Sequence, residues 1–254
     1  MKKQKRQNDI INLLHDKQSM SVKSLAEYFK VTPASIRRDL KTLEYNNFIT
    51  HTHGFARICL DKSSYVNPFT IRSNSCSDEK LRIAKAAAKF VSPNSSIVLD
   101  SGTTIHELAL ELSRNHVSKV SVISNSLPAA IALANNYSVS LCGGILESNT
   151  MALIGPEADD YFFHITVDVV FIGCTGAPAS GLTTNSPFHV SLKRKMVNCA
   201  QEVIALIDSS KFNVIGTYVF CEYNSISTVV TVETENNRDR INDLIKSGVK
   251  VILA

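Results

Sequence analysis

Eight short apolar runs constrain this chain more than any other feature. They lie at 96–100, 119–124, 139–142, 167–173, 202–208, 217–222, 227–232 and 249–254. A strand buried on one face alternates apolar and polar residues, whereas these runs are nearly continuous. Continuous apolarity marks burial on both faces, as in a parallel sheet covered by helices. Helical periodicity follows several runs, at 104–114, 126–135, 188–200 and 236–247. An amphipathic helix, "DEKLRIAKAAAKFV", precedes the first run, with Leu81, Ile83, Ala84, Ala87 and Ala88 on its apolar side. The pattern predicts an α/β domain with a mainly parallel sheet over residues 78–254.

In open α/β sheets, ligands collect beyond the carboxyl ends of the strands. Five runs end there in small or polar loops: "DSGTT" (100–104), "SNS" (124–126), "CGG" (142–144), "GCTG" (173–176) and "DSSKF" (208–212). Together they predict one cleft for a polyhydroxylated anion. Gly102 permits close approach, and Thr103 and Thr104 offer hydroxyls where a helix opens, a place that favours phosphate. Ser101, Ser124, Asn125, Ser126, Gly143, Gly144 and Gly173 line the same predicted rim. Lys193 or Lys211 adds positive charge. Asp100 would repel phosphate and so suits sugar hydroxyls. Simpler roles compete: Ser/Thr at 101–104 as helix caps, Asn125 as a turn former, Lys211 as a solvated lysine, and His106 as a packing or surface residue.

The first sixty residues read differently. A helical pattern runs over 4–16. Ser21 is the expected N-cap of a second helix carrying Val22, Leu25 and Phe29. Thr32 is the expected N-cap of a third, with Pro33 as its first residue and an end near Tyr45. On the third helix Ile36, Leu40 and Leu43 share one face, while Ala34, Arg38, Lys41 and Tyr45 point away from it. Two helices joined by a tight turn, the second with a basic outer face, form a helix-turn-helix that lays the second in the major groove. Arg38 is placed to pair with a guanine edge, and Arg37 and Lys41 suit phosphates. Thr32 and Ser35 lie at the helix start. Strands over 48–51 and 55–60 would flank His53 as a wing. Asp39 repels phosphate unless it holds an arginine. Residues 1–60 hold 11 Lys+Arg against 5 Asp+Glu, the remainder 16 against 18. A basic head on a slightly acidic body points to a polyanion at the head alone. The competing reading is a solvated basic face in an unrelated helical bundle.

Other classes find little support. The six cysteines form no CxxC pair, so neither a zinc site nor a disulfide framework is expected, and a reducing cytoplasm fits. No apolar run is long enough for a membrane span, and the start has no signal-peptide core. Walker, GxGxxG and HExxH motifs are absent. No metal or cofactor is expected.

"VTPASIRRDLKTLE" followed by "HTHGFARI" resembles the DNA-binding head of the DeoR family of bacterial repressors. Val31, Ile36, Arg37, Arg38, Asp39, Leu40, Leu43 and Glu44 match its pattern. Thr32 replaces Ser, Ser35 replaces Thr, and Phe55 replaces a wing glycine. The body resembles the same family's sensor domain through Leu99–Thr104, Ser124–Ser126, Gly143-Gly144, Phe171–Gly173, Gly181–Thr183 and Asp208–Phe212. Residues 61–77 carry five serines, one proline and no clear period and read as a linker. The resemblance implies a winged helix-turn-helix over 1–60 and an α/β domain similar in fold to ribose-5-phosphate isomerase. It also implies a double-stranded DNA operator, a phosphorylated sugar or similar effector, and no membrane. A homo-oligomer is expected, because one recognition helix reads only a few base pairs. Many members carry an acid shortly before the lysine matched by Lys193; "NSPFHVSLK" has none. The alternative is an isomerase-like enzyme with a DNA-binding head. Its base would have to be Asp100 or Asp168, the acids expected near the rim, and the isomerase's own acidic and glycine-rich runs are absent.

Overall fold

The structure, a computed structural model, describes residues 6, 7, 9, 10, 13, 14, 17, 19–45, 49–52, 54–58 and 69–254. The chain divides into two compact units, 1–75 and 76–254.

In the first unit the described residues between Arg6 and Lys17 are helical, with Ile10 and Leu14 fully buried. Strand β1 (Ser19–Ser21) leads into α1 (Val22–Phe29). Ser21 caps α1 by accepting from the Ser24 amide at 3.0 Å. Lys30 then turns into the left-handed region, with φ 51°. Helix α2 (Pro33–Tyr45) starts as predicted: the Thr32 hydroxyl accepts the Ser35 amide at 3.3 Å. Strands β2 (Ile49–Thr52) and β3 (Phe55–Ile58) form an antiparallel hairpin. β1 adds to it, giving the order β1-β3-β2; three residues were too few to reveal β1 by period. Ile36, Leu40, Leu43, Leu25 and Ile49 close the core between helices and wing. A short helix α3 (Phe69–Asn74) falls within the range expected as linker, and residues 61–68 lie outside the described residues.

The second unit opens with α4 (Ser77–Ala87) and then alternates. In chain order follow β4 (Ser96–Leu99), α5 (Thr103–Arg114), β5 (Ser121–Ser124), α6 (Leu127–Leu133) and β6 (Val139–Leu141). A hairpin, β7 (Ile145–Glu147) with β8 (Ala152–Ile154), comes next, then α7 (Pro156–Phe163) and β9 (Val167–Ile172). The chain continues through β10 (Leu182–Thr184), α8 (Pro187–Asn198), β11 (Ala200–Ile207), β12 (Tyr218–Cys221), β13 (Thr228–Thr231), α9 (Arg238–Lys246) and β14 (Lys250–Leu253). Seven strands pair in parallel in the order β14-β13-β11-β9-β4-β5-β6. Successive residues of β9 feed opposite cores. Val170 and Ile172 pack with Leu192, Met196, Ile241 and Leu244 of α8 and α9. Val169 and Phe171 pack with Ile83, Ile105, Leu108 and Leu133 of α4, α5 and α6. Both faces are therefore dry, as the continuous apolarity requires.

Two departures have physical causes. The run at 217–222 is a strand outside the parallel sheet: β12 pairs antiparallel with β10 instead. Its apolarity comes from covering the core through Phe220 and Cys221, not from lying in the sheet. The hairpin β7–β8 and helix α7 carry no clear sequence period because they are short and partly exposed.

Candidate functional sites

The outer face of α2 is the first site. Thr32, Ala34, Arg37, Arg38 and Lys41 are exposed, and Ser35 is half-buried. His53 and the side chain of Tyr45 lie outside the described residues. Asp39 does not face the solvent. It is buried, accepting from Arg6 Nε at 2.6 Å and from Gln7 Nε2 at 3.2 Å. Its charge is thereby neutralised within the head, and the outer face keeps three cations free of a repelling carboxylate. Glu44 turns the other way and accepts the His51 amide at 3.0 Å, tying α2 to the wing. Phe55 continues β3 with half its surface exposed.

The second site lies at the carboxyl ends of the parallel strands. Strand order reverses between β4 and β9: β5 and β6 extend one way, β11, β13 and β14 the other. The five loops expected at the rim follow adjacent strands β11, β9, β4, β5 and β6, so they sit side by side at this reversal. Asp100 is held there by its neighbour strand, its amide donating to the Phe171 carbonyl at 3.1 Å.

Its side chain is not open to sugar hydroxyls in the simple way the sequence suggested. The buried carboxylate of Asp100 forms an ion pair with Lys193 of α8 and accepts the Gly173 amide at 3.0 Å. Lys193 also donates to the Gly173 carbonyl at 3.0 Å and lies 5.2 Å from the Phe220 ring centre. Both charges are sequestered in one knot that joins β4, β9 and α8. Lys193 thus offers the rim little net charge. Lys211, half-buried in the turn after β11, is the other cation of the rim.

The loop after β4 keeps the features of an anion cradle. Gly102 is the N-cap of α5 with φ +143°, a conformation that L side chains rarely adopt, and a Cβ there would meet nothing within 4 Å. No side chain caps α5, so capping does not explain the residues at 101–104. The first amides of the helix stay available. Thr103 and Thr104 are buried, and neither hydroxyl has a protein partner among the described residues. Ser101 reaches Asp100 only weakly, at 3.5 Å.

The serines after β5 are committed to structure. Ser124 donates to the Leu99 carbonyl at 2.6 Å and accepts the Ser126 amide at 2.9 Å. Ser126 caps α6 through the Ala129 amide at 3.3 Å. Asn125 differs: it is buried, its amide group reaches the Leu153 carbonyl at 3.4 Å, and its Oδ1 has no partner. Gly144 is needed for packing, since a Cβ would sit 2.5 Å from the Ile154 carbonyl oxygen, while Gly143 faces open space.

Several residues here escaped sequence reasoning. His189 of α8, four residues before Lys193, is buried and lies 3.0 Å from Glu147 of β7, which also accepts from Thr150 at 2.5 Å. An acid does stand beside this stretch of α8, but it comes from another strand. The i,i+4 spacing of His189 and Lys193 was the available signal. Asp168 proves not to be near the rim. It is the second residue of β9 and accepts from the Ser96 amide at 2.7 Å and hydroxyl at 2.8 Å, at the amino ends of the strands. These hydrogen bonds hold its carboxyl below the usual carboxylate range. Burial pushes the thiols of Cys142 and Cys174 up to about 12, so neither is a nucleophile at neutral pH. Cys76, Glu79 and Asp208 bring one ligand atom each within 4.8 Å of one another, a grouping that sequence spacing hid. Both Glu79 oxygens accept from Ser209, at 2.8 and 2.9 Å, so the group reads as a clasp between α4 and the turn after β11.

A helix-turn-helix head followed in the chain by a parallel α/β unit defines the class as a DNA-binding regulator. The family models and the curated relatives agree. The DeoR-like helix-turn-helix domain matches residues 6–62 and the DeoR C-terminal sensor domain matches residues 75–233. The regulator GolR of Listeria innocua is 33% identical, covering 98% of both chains. The glycerol-3-phosphate regulon repressor of Escherichia coli is 32% identical, covering 92% of each. A ribose-5-phosphate isomerase structure aligns over 54% of both chains at 18% identity, with a TM-score of 0.41. The chain belongs to the DeoR family of transcriptional regulators. Among the described residues no helix is long and apolar enough to cross a membrane.

Proposed function

We propose that this regulator holds an operator through α2 and releases it when a phosphorylated sugar or related polyol phosphate enters the rim cleft. The carrying observation is the open amino end of α5: no side chain caps it, Gly102 faces free space, and two unpartnered threonine hydroxyls stand beside it. A helix start with free amides favours a phosphate by charge and by hydrogen bonding. Asn125 Oδ1, buried without a partner, suits a ligand hydroxyl. Lys211 supplies charge, and the Asp100–Lys193 knot sets the floor between the two. A curated relative named for the glycerol-3-phosphate regulon supports a phosphorylated polyol as the effector class. Residues 1–60 carry operator binding and 78–254 effector binding, and the protein works in the cytoplasm as an oligomer.

An isomerase reading has less support. Its base would have to be a free carboxylate at the rim, and Asp100 is bound to Lys193 while Asp168 lies at the far end of the sheet. The test combines a mobility shift on the gene's own upstream region with a panel of sugar and polyol phosphates, and an assay with ribose 5-phosphate. Release by one panel member without turnover is the expected result. Turnover, or no release by any member, would overturn the proposal.

A further inference from the structure

From Val120 to Leu146 the chain holds no Asp, Glu, Lys, Arg or His, although 20% of the whole is charged. This stretch builds β5, α6, β6 and the start of β7. β6 is the marginal strand of the seven-stranded sheet, so one of its edges has no strand partner among the described residues. Ile131 of α6, which packs on β6, is 67% exposed, Leu141 of β6 37%, and Ile145 and Leu146 of β7, a few residues on in the chain, 68% and 45%. The other margin, β14, is built differently: Arg82 and Lys85 of α4, and Lys89 just after it, lie at its end beside Phe90 and Leu253. Proteins commonly guard a free sheet edge with such charges. β6 and α6 carry no charged residue of their own, and an apolar edge of this kind marks an interaction site.

We propose that this margin is where a second copy of the chain docks, β6 beside β6 about a two-fold axis. Charge selects the occupant. In a two-fold interface a patch meets itself, so any charge near the axis faces its own sign. A strand and a helix with no charges of their own limit that repulsion, and their apolar side chains are complementary to themselves. Antiparallel pairing of the two β6 strands would also satisfy the unpaired backbone groups. The inference deepens the proposed function: the pair supplies two recognition helices for one operator. It also names a route for regulation. β6 ends at Leu141 and leads through Cys142 to Gly143 and Gly144 of the rim, so an effector against Gly143 lies two residues from the docked strand.

Sedimentation equilibrium of the full chain tests this with Ile131→Glu, Ile145→Glu and, as a control on another apolar surface residue, Ile245→Glu of α9, 52% exposed. Circular dichroism confirms that each variant folds, and either margin variant alone decides should the other misfold. The wild type and the control should sediment as an oligomer of even number. The margin variants should have half that mass or less, with dissociation constants raised by about tenfold or more. Their binding of the active panel phosphate, read by calorimetry, should persist. A monomeric wild type, margin variants of unchanged mass, or a control that dissociates as they do would each overturn the proposal. A dimer that breaks as expected but binds no phosphate would leave this interface standing and refute the effector reading alone.

Discussion

Arg38 is exposed on the face of α2 opposite Ile36 and Leu40. Arg38→Ala should weaken specific operator binding by about 1–3 kcal/mol, as for a lost base contact. Competition shifts with operator and random duplex measure it, and an unchanged specificity ratio would remove Arg38 from base reading. Lys193 is a different kind of residue. Lys193→Met leaves the Asp100 carboxylate buried without its cation, and breaking a buried pair from one side costs about 3–5 kcal/mol. Urea unfolding should show that loss, and the companion Asp100→Asn/Lys193→Met variant should recover part of it. At the cleft mouth, Thr103→Ala removes a hydroxyl that no protein group uses. Fold and operator binding should survive while the effector midpoint rises at least about tenfold, roughly one charge-assisted hydrogen bond. Normal release by this variant would return the loop to a structural role.

At the scale of elements, the recognition helix depends on the helix before it. Asp39 fastens α2 to Arg6 and Gln7 from inside the head. Asp39→Ala strands the buried Gln7 side chain and a mostly buried arginine. A loss of about 1–3 kcal/mol is expected for the head. Hydrogen exchange should show faster exchange in α1 and α2 with the protection of β4, β9 and β11 unchanged. Uniform loss across both units would contradict the separation of the chain into two compact bodies.

At the scale of the whole molecule, release of DNA requires the effector to prefer the DNA-free arrangement. Coupling of about 1–3 kcal/mol is typical, and it is reciprocal. The effector's dissociation constant should therefore rise about 5–150-fold when saturating operator is present. Calorimetry with and without operator duplex measures this directly. Equal affinities in both conditions would mean that the cleft ligand is no inducer.

Local chemistry determined much of this protein from sequence alone. Thr32-Pro33 fixed the start of α2, because a capping hydroxyl and a preset φ act within one turn. Continuous apolarity fixed a sheet buried on both faces, since each strand residue must find a dry neighbour. "DSGTT" marked the open helix start, which depends only on adjacent residues. Tertiary structure decided what depends on distant partners. It joined Asp100 to Lys193, 93 positions away, and turned two expected ligand groups into one neutral knot. It carried Asp168 to the far end of the sheet and took β12 out of it. It set Glu147 beside His189, supplying from β7 the acid that α8 lacks. Such pairings follow from strand order and helix docking, and those are settled by how the whole core packs rather than by any short run of residues.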